Sequence, residues 1–72
     1  MRESLGNRLK ERRAELGLTQ ADLAEACGVT RKTVNTVENG VFVPSALLAL
    51  KMARALSVAP EDLFWLQATN ES

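Results

Sequence analysis

Histidine is absent from the 72 residues, and cysteine occurs once, as Cys27. Without an imidazole there is no Cys/His zinc cluster and no His-dependent triad, and a single thiol cannot close a disulfide within the chain. The chain is therefore expected to be no enzyme, with no catalytic residue, cofactor or metal. An excess of charge is also missing: nine Lys and Arg stand against nine Asp and Glu, a formal net charge of +0. No global field draws such a chain to nucleic acid or to an anionic membrane, so any such binding must come from a local patch. Long apolar runs are lacking too. The longest uncharged stretch lies between Glu38 and Lys51, is broken by Pro44, and falls short of the ~20 apolar residues that span a bilayer. Met1-Arg2-Glu3 has no apolar run behind it, so no secretory signal is expected and the protein is placed in the cytoplasm. β alternation, internal repeats and low-complexity tracts are equally missing.

What is present fits one small domain: 46% of the residues are hydrophobic and 25% charged. The domain is expected over residues 1–66, followed by a polar tail over 67–72. A domain of this size buries only about 60% of the surface its unfolded chain exposes, so it gains from a partner, and self-association is expected.

The periodicity predicts an all-α chain of five short helices. Leu5, Leu9 and Leu16 recur at helical spacing, with Arg13 standing where an apolar residue belongs, and Gly17 is the stop. Thr19 and Asp22 match a capping box that starts a second helix, whose apolar positions are Leu23, Ala24 and Cys27 before a turn at Gly28. Cys27, on that apolar face, is expected to pack rather than react. Thr30 caps a third helix with Val34 and Val37 on a narrow apolar stripe, stopped by Asn39-Gly40. Ser45 caps a fourth with Leu48, Ala49, Met52, Ala53 and Leu56 on one face, and Pro60 opens a fifth.

From Leu16 to Gly40 the order is short capped helix, glycine-centred turn, second capped helix, which is helix-turn-helix grammar. Ala24 is small where the two helices cross, and Val29 and Val34 plug the angle between them. Arg31, Lys32, Asn35 and Thr36 are then the outward positions of the second of these helices, and each can reach a base edge or a phosphate. Between Val29 and Val37 there are two cations and no acid, so the patch is positive although the molecule is neutral.

Leu18-Thr19-Gln20-Ala21-Asp22-Leu23-Ala24, Gly28-Val29-Thr30-Arg31 and Val37-Glu38-Asn39-Gly40, with Pro44-Ser45 and Pro60-Glu61-Asp62-Leu63-Phe64, resemble the Xre type of the phage repressor and Cro family, the lambda-repressor-like DNA-binding regulators. The likeness runs from about Leu5 to Phe64. It implies that Gln20 fixes a phosphate, that Arg31, Lys32, Asn35 and Thr36 face the major groove, with Thr30 and Asn39 at the ends of that helix completing the DNA-contacting set, and that a homodimer binds a pseudo-palindromic operator in double-stranded DNA. Cys27 departs from the larger aliphatic residue usual before the turn glycine.

Arg13 and Glu38 are charges at positions where their helices want apolar residues. They are expected to pair at the junction of the first and third helices, as matching positions in the resembled family do. Leu47, Leu50, Phe64, Trp65 and Leu66 exceed what so small a core requires and are assigned to the dimer interface. The leading expectation is a sequence-specific transcriptional regulator, most simply a repressor. The alternative is an antitoxin or adaptor whose main task is to bind a partner protein.

Overall fold

The computed structural model describes residues 2–69, and the elements run β1 (Arg2–Asn7), α1 (Leu9–Glu15), α2 (Gln20–Cys27), α3 (Arg31–Glu38), α4 (Ala46–Ala55), α5 (Pro60–Leu63) and β2 (Phe64–Thr69). The five expected helices are present, but the all-α expectation is corrected by the two strands. They pair antiparallel, with Leu5 opposite Leu66 and Gly6 opposite Trp65. Leu5 belongs to β1, not to the first helix, and its spacing from Leu9 imitates a helical repeat across a strand–helix junction. Asn7 makes that junction, its side-chain carbonyl accepting from the Leu9 N–H at 3.1 Å. Gln67, Ala68 and Thr69, expected in a polar tail, pair as part of β2 with Ser4, Glu3 and Arg2. The rest of that tail, residues 70–72, lies outside the described residues.

Gly6 is a strand residue because nothing larger fits. A Cβ there would stand 2.6 Å from Cε2 of the Trp65 indole and 2.7 Å from Oε1 of Gln67. The indole lies over the glycine, and the Arg8 guanidinium sits 5.3 Å from its centroid, within cation–π range. An aromatic covering a strand glycine restores the packing the glycine lacks.

The helix ends follow the capping signals. Thr19 accepts from the Asp22 N–H while the Asp22 carboxylate accepts from the Thr19 N–H, and Thr30 and Ser45 accept from Thr33 and Leu48 in the same way. Gly28 takes the left-handed conformation at φ 70°, which lets the chain leave α2 and enter α3 within three residues. The backbone N–H of Thr19 and then its hydroxyl hold the Asp22 carboxyl below its ordinary pKa. Its contribution to stability is present above the unfolded pKa and fades as pH falls through the lowered folded one. The difference in melting temperature between wild type and Asp22→Ala should therefore be present at neutral pH and shrink on acidification. A difference that grew in acid would contradict the cap.

Leu9, Leu23, Val34, Val37, Met52, Leu56 and Leu63 are fully buried, so every helix contributes to the core directly or through its flank. Ala24 and Cys27 are buried with them between α2 and its neighbours. Burial pushes the Cys27 thiol up from its usual pKa, which keeps it protonated and supports its reading as a small hydrophobe. Among the described residues, no helix is long and apolar enough to cross a membrane.

Candidate nucleic-acid interface

Val34 and Val37 turn one face of α3 into the core, which leaves Arg31, Lys32 and Asn35 exposed on the other. These three share an open groove with Gln20 from the start of α2. The structure thus brings together four of the residues singled out from sequence. Thr36 is half-buried, and its hydroxyl donates to the Thr33 carbonyl at 2.9 Å, so its proton is spent within the helix. Thr30 is engaged as the cap of α3, and Asn39 closes the helix with its side-chain N–H on the Asn35 carbonyl at 2.9 Å.

Arg13 and Glu38 do meet. The guanidinium donates to both carboxylate oxygens, Nε at 2.8 Å and Nη2 at 3.4 Å, and its Nη1 donates to the Leu18 carbonyl at 2.8 Å. With side-chain exposures of 14% and 3%, the pair is largely removed from water. One cation therefore ties α1 to the turn before α2 and to the end of α3. On the other side of α3, the Asn7 side chain donates to the Val37 carbonyl at 3.1 Å, so β1 also holds that helix end. Electrostatically, the acid of α3, Glu38, is paired with Arg13, so Arg31 and Lys32 face solvent without an opposing charge on α3's outer face.

In the free chain Gln20 turns toward α3. Its amide nitrogen donates to Glu38 Oε1 at 3.0 Å and to Asn35 Oδ1 at 3.2 Å, which spends both of its protons inside the protein. The glutamine's spacing from Glu38 is visible in the sequence, but the contact forms only once α2 and α3 cross.

The surplus apolar residues separate. Leu47 and Leu50 stand out from α4 at 64% and 54% exposure, and Leu66 from β2 at 73%. Trp65 is half-covered by its packing on Gly6 and Arg8. Phe64 is corrected: at 9% exposure it is part of the core, because the chain enters β2 with that side chain turned inward. Sequence reasoning passed over Val41, Phe42 and Val43, which are exposed in the loop after α3. Val41 and Phe42 border an apolar groove beside Thr33 and Thr36.

A short capped helix crossed by a second whose polar face stands clear of the core defines the helix-turn-helix class of DNA-binding regulators. The chain belongs to the helix-turn-helix family, whose profile HTH_3 matches residues 9–63, and within it to the Xre, lambda-repressor-like type. It is 52% identical over 64 residues to the uncharacterized HTH-type transcriptional regulator YgzD of Bacillus subtilis, covering 89% of this chain and 97% of that one. Among solved structures it is similar to the restriction-modification controller protein C.AhdI of Aeromonas hydrophila, with a TM-score of 0.72 and 39% identity over 75% of this chain and 82% of the other. It is also similar to the P22 c2 repressor in complex with a synthetic operator, with a TM-score of 0.73 and 28% identity, again over 75% and 82%.

Proposed function

We propose that the chain is a cytoplasmic, sequence-specific transcriptional repressor that occupies a pseudo-palindromic operator as a homodimer, laying α3 in the major groove. The observation that carries this is the gathering of Arg31, Lys32 and Asn35 on one exposed face of a helix whose only acid, Glu38, is already paired. Arg31, at the start of α3, is the base reader, since a guanidinium matches guanine O6 and N7 with two parallel hydrogen bonds. Lys32, a point charge on a flexible stem, suits a phosphate. Two free cations per reading face give a shallow salt dependence, with a slope of about −0.9 for each phosphate neutralised.

Selection of bound duplexes from a random-sequence pool tests this. Wild type should enrich a two-fold-related sequence. Arg31→Ala should then cost about 1–3 kcal/mol on that sequence and relax preference at one position in each half, whereas Lys32→Ala should weaken all duplexes alike and flatten the salt slope. Equal losses on selected and random duplexes for Arg31→Ala would remove it as a base reader.

A further inference from the structure

The orientation of a side-chain amide is dictated by neighbours that have no choice of role, and two such neighbours bracket Asn35. The Glu38 carboxylate, held by Arg13, only accepts, so the Gln20 atom 3.0 Å from its Oε1 is Nε2. That same Nε2 lies 3.2 Å from the Asn35 amide, and the atom it meets there must accept, which makes it Oδ1. From the opposite side, the backbone carbonyl of Asn35 only accepts, so the Asn39 atom 2.9 Å away is Nδ2. That nitrogen also reaches Asn35 Oδ1, at 3.0 Å. The Asn35 carbonyl oxygen therefore takes two internal hydrogen bonds, which fills its acceptor capacity. The two protons on its Nδ2 have no partner among the described residues, and the residue is exposed in the groove it shares with Arg31 and Lys32.

We propose that the Arg13–Glu38 pair, acting through Gln20, locks Asn35 as a donor-only reader, so that the base opposite it is guanine and not adenine. This rests on the DNA-reading function proposed above. An asparagine reads adenine with both ends of its amide, the carbonyl accepting from N6 and the N–H donating to N7. With the carbonyl spent, adenine keeps one bond and leaves its N6 donor facing a donor. Guanine presents two adjacent acceptors, O6 and N7, for the two free protons. Asn35 is the reader, and Gln20, Asn39 and Glu38 are positioning residues.

The test uses the full chain and a random-sequence duplex pool. The position at which Asn35→Ala loses preference identifies the base opposite Asn35. Wild type should favour guanine over adenine there by about 5- to 150-fold. Replacing that guanine with 7-deazaguanine, which lacks N7, should weaken binding, and inosine, which keeps O6 and N7, should be tolerated. Gln20→Met with Asn39→Ala removes both donors from the Asn35 carbonyl while leaving Arg13 and Glu38 in place. In that double variant adenine should gain, and the guanine-to-adenine ratio should fall at least fivefold. A purely structural role for these residues would weaken all duplexes and leave the ratio unmoved, which would overturn the proposal. Adenine at that position in wild type, or no position sensitive to Asn35→Ala, would overturn it alone. A pool from which wild type enriches nothing would remove the DNA-reading function, and this proposal with it.

Discussion

Glu38→Ala should destabilise the protein by about 3–5 kcal/mol, because it leaves the Arg13 guanidinium in a site with little water and no carboxylate. At roughly 0.05–0.15 kcal/mol per residue, a chain this short holds only about 4–11 kcal/mol in all. The loss is therefore a large fraction of the total stability and should lower the melting temperature steeply. The loss exceeds that of an exposed ion pair for a structural reason. Glu38 Oε1 also accepts from Gln20, and Arg13 also donates to the Leu18 carbonyl, so the pair joins α1, the start of α2 and the end of α3 at one point. Arg13→Ala should cost a similar amount, since it strands the carboxylate. The double change Arg13→Met, Glu38→Leu should be much milder than either single change, because replacing both partners with apolar groups leaves no unpaired charge. Urea denaturation of the four proteins measures this. A Glu38→Ala loss below about 1 kcal/mol would mean that the pair behaves as a surface one. Arg12 offers the contrast: its bridge to Glu15 at 3.3 Å is exposed on the acid's side, and its removal should cost mainly the hydrogen bond to the Leu56 carbonyl.

The helices were legible because their signals are local. A cap, an apolar repeat of three or four residues and a glycine stop all fall within one element, and Thr19, Gly28, Thr30 and Ser45 do in the structure what their types predict. The Arg13–Glu38 pair was legible for a different reason: each charge breaks its own helix's apolar pattern, and two such violations of opposite sign point to each other. The strands were not legible. β1 carries a glycine and four polar residues without a β-branched side chain, and its partner lies at the other end of the chain, so neither strand has a local pattern. Both also fall outside the span that matches the family profile. The one signal for them was Gly6 and Trp65, a small and a large residue that make sense only when stacked. The internal use of Gln20 was hidden because it depends on how α2 crosses α3, which no spacing encodes.

Conversion of the proposed dimer to monomer should cost about 2–5 kcal/mol of operator affinity, the larger functional effect. Specific binding typically exceeds non-specific binding by about 4–10 kcal/mol, and a monomer that reads one half-site retains about half of that. One α3 with two cations touches too few base pairs to choose one site among ~10⁶ competitors. Two copies related by a two-fold axis place their reading helices one DNA turn apart, about 34 Å, so half-sites should be centred about 10–10.5 base pairs apart or a multiple of that. Such an interface is isologous, and a charge introduced into it meets its own copy. The candidates are the exposed apolar side chains of α4, Leu47 and Leu50, and those of β2, Leu66 and the uncovered part of Trp65. Leu47, Leu50 and Leu66 are exposed in the single chain, so Leu47→Glu, Leu50→Glu and Leu66→Glu should fold as wild type does. Whichever of them lies in the interface should shift sedimentation to the monomer and weaken the operator titration together, with α3 unchanged. Trp65→Ala separates two roles of one side chain: if its stacking on Gly6 and Arg8 is all it does, the sheet loosens while the dimer persists. A wild type that stays monomeric both free and on its selected duplex would leave the read length at one half-site and sink the dimer.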